Sequence, residues 1–123
     1  MNILKKLFRT SEQPKKKTKE TEPEHAVIVH FSYGSTDLSA LFDLEEKIEA
    51  AIEKAEAGEF DGNEVATDGS DGYLYMYGPN ADTLFGAIEP VLKDSEFMKG
   101  AKVKLRYGPP EDGVPETTKI IES

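Results

Sequence analysis

His25–Ser32 is rich in β-branched and aromatic residues, with Val27, Val29 and Phe31 on one parity and the less uniformly apolar Ile28, His30 and Ser32 on the other. That composition and parity predict a β-strand. Tyr33–Asp37 follows with a glycine turn and Ser/Thr/Asp capping residues. Leu38, Leu41, Phe42, Ile48, Ile52 and Ala55 then recur at three- and four-residue spacing, which predicts a helix of roughly 20 residues stopped by Gly58. Gly62–Asp68 reads as a short polar strand and Gly72–Gly78 as a stronger one, joined by the turn-rich run Asp68-Gly69-Ser70-Asp71-Gly72. Asn80 is placed to cap a second helix with the stripe Ala81, Leu84, Phe85, Ile88 and Leu92; Pro90 inside it predicts a bent or shortened helix. Ala101–Tyr107 alternates Val103, Leu105 and Tyr107 with Lys102, Lys104 and Arg106, a one-sided strand. Gly108–Pro115 is a loop, and Glu116–Ile121 reads as either a late edge strand or a tail.

The resulting order, β-α-β-β-α-β, predicts an α+β fold of the ferredoxin-like type: a four-stranded antiparallel sheet with two helices on one face and the first and third strands central. A swapped arrangement of the same elements stays open. Residues 25–109 form the expected domain, preceded by a flexible basic N-terminal tail at 1–24 and followed by a C-terminal extension at 110–123.

Charge sharpens this division. The chain of 123 residues carries 15 Lys and Arg against 24 Asp and Glu, a formal charge of -9. Residues 1–24 hold seven basic and four acidic groups, a balance of +3, and the remainder eight basic and 20 acidic, a balance of -12. A domain this acidic is not expected to bind duplex DNA. Ser11–Glu24, rich in Lys, Glu and Thr with two prolines, buries too little apolar surface to offset the entropy of ordering. Ahead of it Ile3, Leu4, Leu7 and Phe8 share a helical face opposite Lys5, Lys6 and Arg9, a short basic amphipathic segment of the kind that touches membrane surfaces or partner proteins. Ten residues fall short of the roughly 12–15 an isolated helix needs, which favours a solubilised tail. With no long apolar run and no secretory signal pattern, the chain is expected to be cytoplasmic.

Several short motifs are moderately specific in combination: Glu59-Phe60-Asp61-Gly62, the run from Tyr75 through Tyr77-Gly78-Pro79 to Phe85, Pro90-Val91-Leu92 and Leu105-Arg106-Tyr107-Gly108-Pro109. Over residues 58–109 the chain resembles a family of small bacterial α+β proteins with no assigned activity. That resemblance implies a compact fold and transfers no catalytic residue.

In such a plait the helices cover one sheet face and leave the other open. Tyr73, Tyr75 and Tyr77 would stand on the open face with Ile28, His30 and Ser32, with Lys102, Lys104 and Arg106 along one edge, and with Glu64, Ala66 and Asp68 on the other side. Tyrosine is favoured where an apolar patch has a wet rim, so this face is a candidate for binding a protein partner or a second copy of the chain. Aromatics beside cations also suit unpaired bases, which makes single-stranded nucleic acid the alternative. For Lys102, Lys104 and Arg106 the preferred reading is the ordinary defence of an edge strand against aggregation. On the first helix Glu46, Glu49 and Glu53 form a second candidate surface, suited to steering a basic partner.

Enzymatic chemistry finds little support. The chain has no cysteine, which excludes disulfides, thiol nucleophiles and thiolate metal sites. His25 and His30, the two histidines, differ in strand parity and are expected on opposite faces, so they cannot share a metal. Asp68–Gly72 lacks the ligand spacing of a calcium loop, Gly34–Asp37 lacks the glycine and lysine spacing of a phosphate loop, and no nucleophile elbow or zinc-binding histidine pair occurs. No cofactor, metal or catalytic residue is expected. Tyr33-Gly34, Tyr77-Gly78 and Tyr107-Gly108 close three strands, a pattern best read as glycine and proline strand ends; the alternative, with the first and third strands taken as running the same way, is that Tyr33 and Tyr77 share a rim suited to a small ligand.

Overall fold

The computed structural model describes residues 24–122; the expectations for the amphipathic segment and for residues 1–23 of the tail lie outside the described residues. Five strands and two α-helices form among the described residues: β1 (His25–Ser32), α1 (Ser39–Ala55), β2 (Glu59–Val65), β3 (Asp71–Gly78), α2 (Ala81–Lys93), β4 (Lys102–Arg106) and β5 (Glu116–Ile120). The sheet order is β2-β3-β1-β4-β5, every neighbouring pair antiparallel. The architecture is therefore α+β with a five-stranded sheet rather than four. Glu116–Ile120 pairs with β4 along its whole length, and Ile121 beyond it is fully buried, so this segment is a strand and not a tail.

One core lies between the sheet and the helices. Val27, Val29 and Phe31 of β1, Leu74 and Met76 of β3, and Val103 and Leu105 of β4 meet Leu41, Leu44, Ile48 and Ile52 of α1 and Leu84, Phe85, Ile88 and Leu92 of α2 in a single buried cluster. Sharing that cluster puts both helices on the same sheet face.

The helices depart from expectation in instructive ways. α1 begins at Ser39, where Asp37 accepts hydrogen bonds from the Ser39 N–H (3.1 Å) and hydroxyl (2.6 Å) one residue outside the N-cap position. It ends at Glu56, which takes the left-handed conformation (φ 52°) and lets its own and the Ala57 N–H reach back to the last turn. Gly58 is needed for another reason: a Cβ there would stand 2.1 Å from the Tyr77 carbonyl oxygen. Phe42, expected inside, is 48% exposed, and Leu44 is buried instead. At about 100° per residue, Leu41, Leu44, Ile48 and Ile52 make a narrow stripe that position 42 misses by about a quarter turn.

α2 starts as predicted, with the Asn80 side chain accepting from the Thr83 N–H at 3.0 Å. His25 adds a second cap from the sheet, its Nδ1 accepting from the Ala81 N–H at 2.9 Å. The helix runs through Pro90 to Lys93; Pro90 is exposed, and Gly86, the residue its ring would crowd, faces open space.

Candidate functional site

The uncovered sheet face is built by strand register. In antiparallel pairs, residues directly opposite one another project from the same face. Ala26 is flanked by Tyr77 and Arg106, Ile28 by Tyr75 and Lys104, and His30 by Tyr73 and Lys102. Since Val27, Val29 and Phe31 point into the core, all eight sheet-face residues singled out in the sequence (Ile28, His30, Tyr73, Tyr75, Tyr77, Lys102, Lys104 and Arg106) are brought together on the opposite side. On β2, Glu64 lies opposite Tyr73 and Glu59 opposite Tyr77. Ala66 and Asp68 fall beyond the end of β2: Asp68 instead caps the hairpin turn, its carboxylate accepting from the Ser70 N–H at 2.9 Å.

The centre of this face is an aromatic stack. The His30 and Tyr73 rings lie nearly parallel with centroids 4.4 Å apart, and Tyr73 continues to Tyr75 at 6.1 Å. His30 Nε2 meets Asp71 Oδ2 at 2.8 Å, which pins the imidazole against the tyrosine. The Tyr75 hydroxyl donates to Glu64 Oε1 at 2.6 Å. Burial, and then that carboxylate, raise the Tyr75 phenol well above its ordinary value; burial and then the charge of Asp61 raise Tyr77. Both rings are therefore held in the neutral form, and Tyr73 is 38% exposed at the front of the stack.

Charge runs across the strands in order. Glu59 and Glu64 stand on β2, the aromatics on β3 and β1, and Lys102, Lys104 and Arg106 on β4. The cations are not the edge defence expected from the sequence, because β5 covers that edge. Arg106 lies opposite Glu116 and donates through Nε to the Gly108 carbonyl at 2.7 Å, while Lys104 Nζ is 4.0 Å from Glu116.

The tyrosine rim raised as the alternative for the Tyr-Gly pairs is corrected. β1 and β3 are antiparallel, with His25 opposite Gly78 and Ser32 opposite Asp71, so Tyr33 and Tyr77 finish at opposite ends of the sheet. Tyr33 instead packs edge-on against Phe31 and Phe97, at 6.2 and 4.9 Å. Phe97 also lines an open groove of about 740 Å³ on the helix side, with Leu44, Lys47, Val91 and Asp94. The two histidines do separate: His25 caps α2 and His30 joins the tyrosine stack.

The second candidate surface lies on α1. Glu46, Glu49 and Glu53 are exposed, and Phe42 shares their stripe at spacings of four, three and four residues. The aromatic member of this stripe was missed because its spacing also suited the core. Within the described residues no group of three or more histidine or acidic side chains is arranged to hold a metal, and no helix is long and apolar enough to cross a membrane. Comparison with known proteins finds no matching family model, no matching curated sequence and no matching solved structure.

Proposed function

We propose that the protein is a non-catalytic protein-interaction domain, of the adaptor, inhibitor or immunity type, built on a ferredoxin-like plait extended by β5. The strand order β2-β3-β1-β4 and its antiparallel pairings support the plait. The observation that carries the functional reading is the uncovered sheet face, where a His30–Tyr73–Tyr75 stack with a wet, charged rim offers large, rigid side chains at little entropic cost. The exposed Phe42 and its acidic stripe on α1 offer a second surface, suited to a basic partner.

Single-stranded nucleic acid is the second reading, favoured by Lys102 and Lys104 standing beside the stack. Glu59, Glu64 and Asp71 on the same face weigh against it, since phosphates would approach three carboxylates.

Capture from native lysate by wild type, Tyr75→Ala and Glu46/Glu49/Glu53→Lys variants separates the readings. A specific protein retained by wild type and lost with either variant supports the interaction domain. RNA captured with a steep salt dependence and lost with Tyr75→Ala supports the second reading instead, and retention of nothing specific by wild type counts against both.

A further inference from the structure

We propose that the open sheet face is closed by a second copy of this chain, in a two-fold dimer whose axis runs parallel to the strands between β1 and β3. This rests on the reading of that face as an interaction surface and names its occupant. The register sets Glu64, Tyr73, His30 and Lys102 at one level across the sheet, and Glu59, Tyr77, Ala26 and Arg106 at another. From β2 to β4 each of these levels therefore runs from acid through aromatic to base; on β5 the first continues to Ile120 and the second to Glu116.

A two-fold axis along the strands reverses that order in the facing copy while keeping each level in place. Placed between β1 and β3, it exchanges β2 with β4 and β1 with β3. Glu64 of each copy then meets Lys102 of the other, Glu59 meets Arg106, and the ring stacks face one another at the centre. An axis across the strands would set acid on acid and base on base. The face is thus self-complementary in one orientation only, as an isologous interface requires. The four strands that this axis superposes, spaced about 4.8 Å apart and about 20 Å long, give a footprint of roughly 400 Å², with β5 overhanging on each side. That is smaller than the roughly 800 Å² per partner of a standard stable interface, so the association is weak and depends on concentration.

Sedimentation equilibrium of the full chain tests this directly. Wild type should shift from monomer to dimer as its concentration rises to about 0.5 mM, with a dissociation constant in the micromolar range that weakens with added salt. Glu64→Lys and Lys102→Glu, both exposed positions, should each weaken self-association about tenfold or more, because each turns two acid-to-base contacts across the two-fold axis into like-charge contacts. Mixed in equal amounts, the two variants should recover association, since every contact in the mixed dimer is again acid to base. Within one copy Glu64 and Lys102 are three strand spacings apart, about 14 Å, so recovery on mixing reports a contact between copies.

Wild type that stays monomeric throughout overturns the proposal. It leaves the face to a different protein, to the chain's own basic segment at residues 1–24, or to an oligonucleotide, and capture from lysate still tests the broader reading. A dimer that forms but shows no recovery on mixing overturns the assigned geometry.

Discussion

Tyr75 is held by two influences of the same sign. Burial disfavours the phenolate, and the Glu64 carboxylate both accepts its proton in a hydrogen bond and repels the charge its loss would create. Its folded-state pKa therefore lies above the ordinary 10.0. The unfolded chain loses this proton first as pH rises, so the stability it contributes is fully present below pH 10 and is lost between that value and the folded one. An ultraviolet absorbance titration should find one of the five tyrosines ionising last, and Glu64→Gln should bring it down. An unchanged titration in that variant would remove Glu64 as a cause. The alternation of Tyr73, Tyr75 and Tyr77 with apolar neighbours makes this face legible in the sequence itself. The Glu64 contact is not legible there, because it depends on the register of β2 against β3 and on a bulge between Phe60 and Gly62. Gly58 shows the same limit: its sequence position suggests a helix stop, while the close approach of the Tyr77 carbonyl is a tertiary fact. Gly58→Ala should lower stability in urea by about 2 kcal/mol or more, through the clash and the unfavourable positive φ.

Among the elements, β5 is the hardest to read. Glu116–Ile120 is exposed at every position, so no hydrophobic alternation separates it from a tail. Its one strong anchor, Ile121, falls just past the last paired residue; its N–H donates to the Ala101 carbonyl at 3.0 Å, and its own carbonyl accepts from the Gly100 N–H at 2.8 Å. Ile121→Ala should therefore cost about 2–5 kcal/mol, as for other large-to-small core changes, whereas Ile120→Ala at a half-exposed position should cost far less. Urea denaturation of the two variants separates a docked strand from a tail, because a tail would make both changes nearly silent. α2 is easier: its stripe and Asn80 cap are local features, and Asn80→Ala should cost about 1 kcal/mol. The contribution of His25 to the same helix start is not legible, since His25 and Ala81 are 56 residues apart in the chain. In α1, Phe42 and Leu44 compete for the core from the same short stretch. Only the packing of α1 against the sheet decides between them.

For the whole molecule, what matters is where charge sits rather than how much there is. Glu46, Glu49 and Glu53 belong to the helix layer, on the other side of the sheet from the tyrosines, so one flat partner cannot touch both surfaces. The acidity of α1 is plain in the composition, but its separation from the tyrosine face depends on which side of the sheet the helix covers. A helix layer packs about 10 Å from its sheet, and an outward-facing carboxylate lies further still, beyond the screening length of about 8 Å at physiological ionic strength. The Glu46/Glu49/Glu53→Lys variant changes the formal charge from -9 by three full reversals, to -3. If bulk charge governed self-association, such a change would far outweigh a single substitution. The two-fold arrangement requires the opposite: sedimentation should find the dimerisation constant of the triple variant unchanged or slightly tighter, from reduced overall repulsion, while Glu64→Lys alone weakens it tenfold or more. Loss of the dimer in the triple variant would place α1 in the interface and the two-fold axis elsewhere. If the constant holds, the dimer carries two outward acidic stripes with an exposed Phe42 on each. A basic partner with two copies of its own binding segment could then engage both at once, gaining avidity without any new contact.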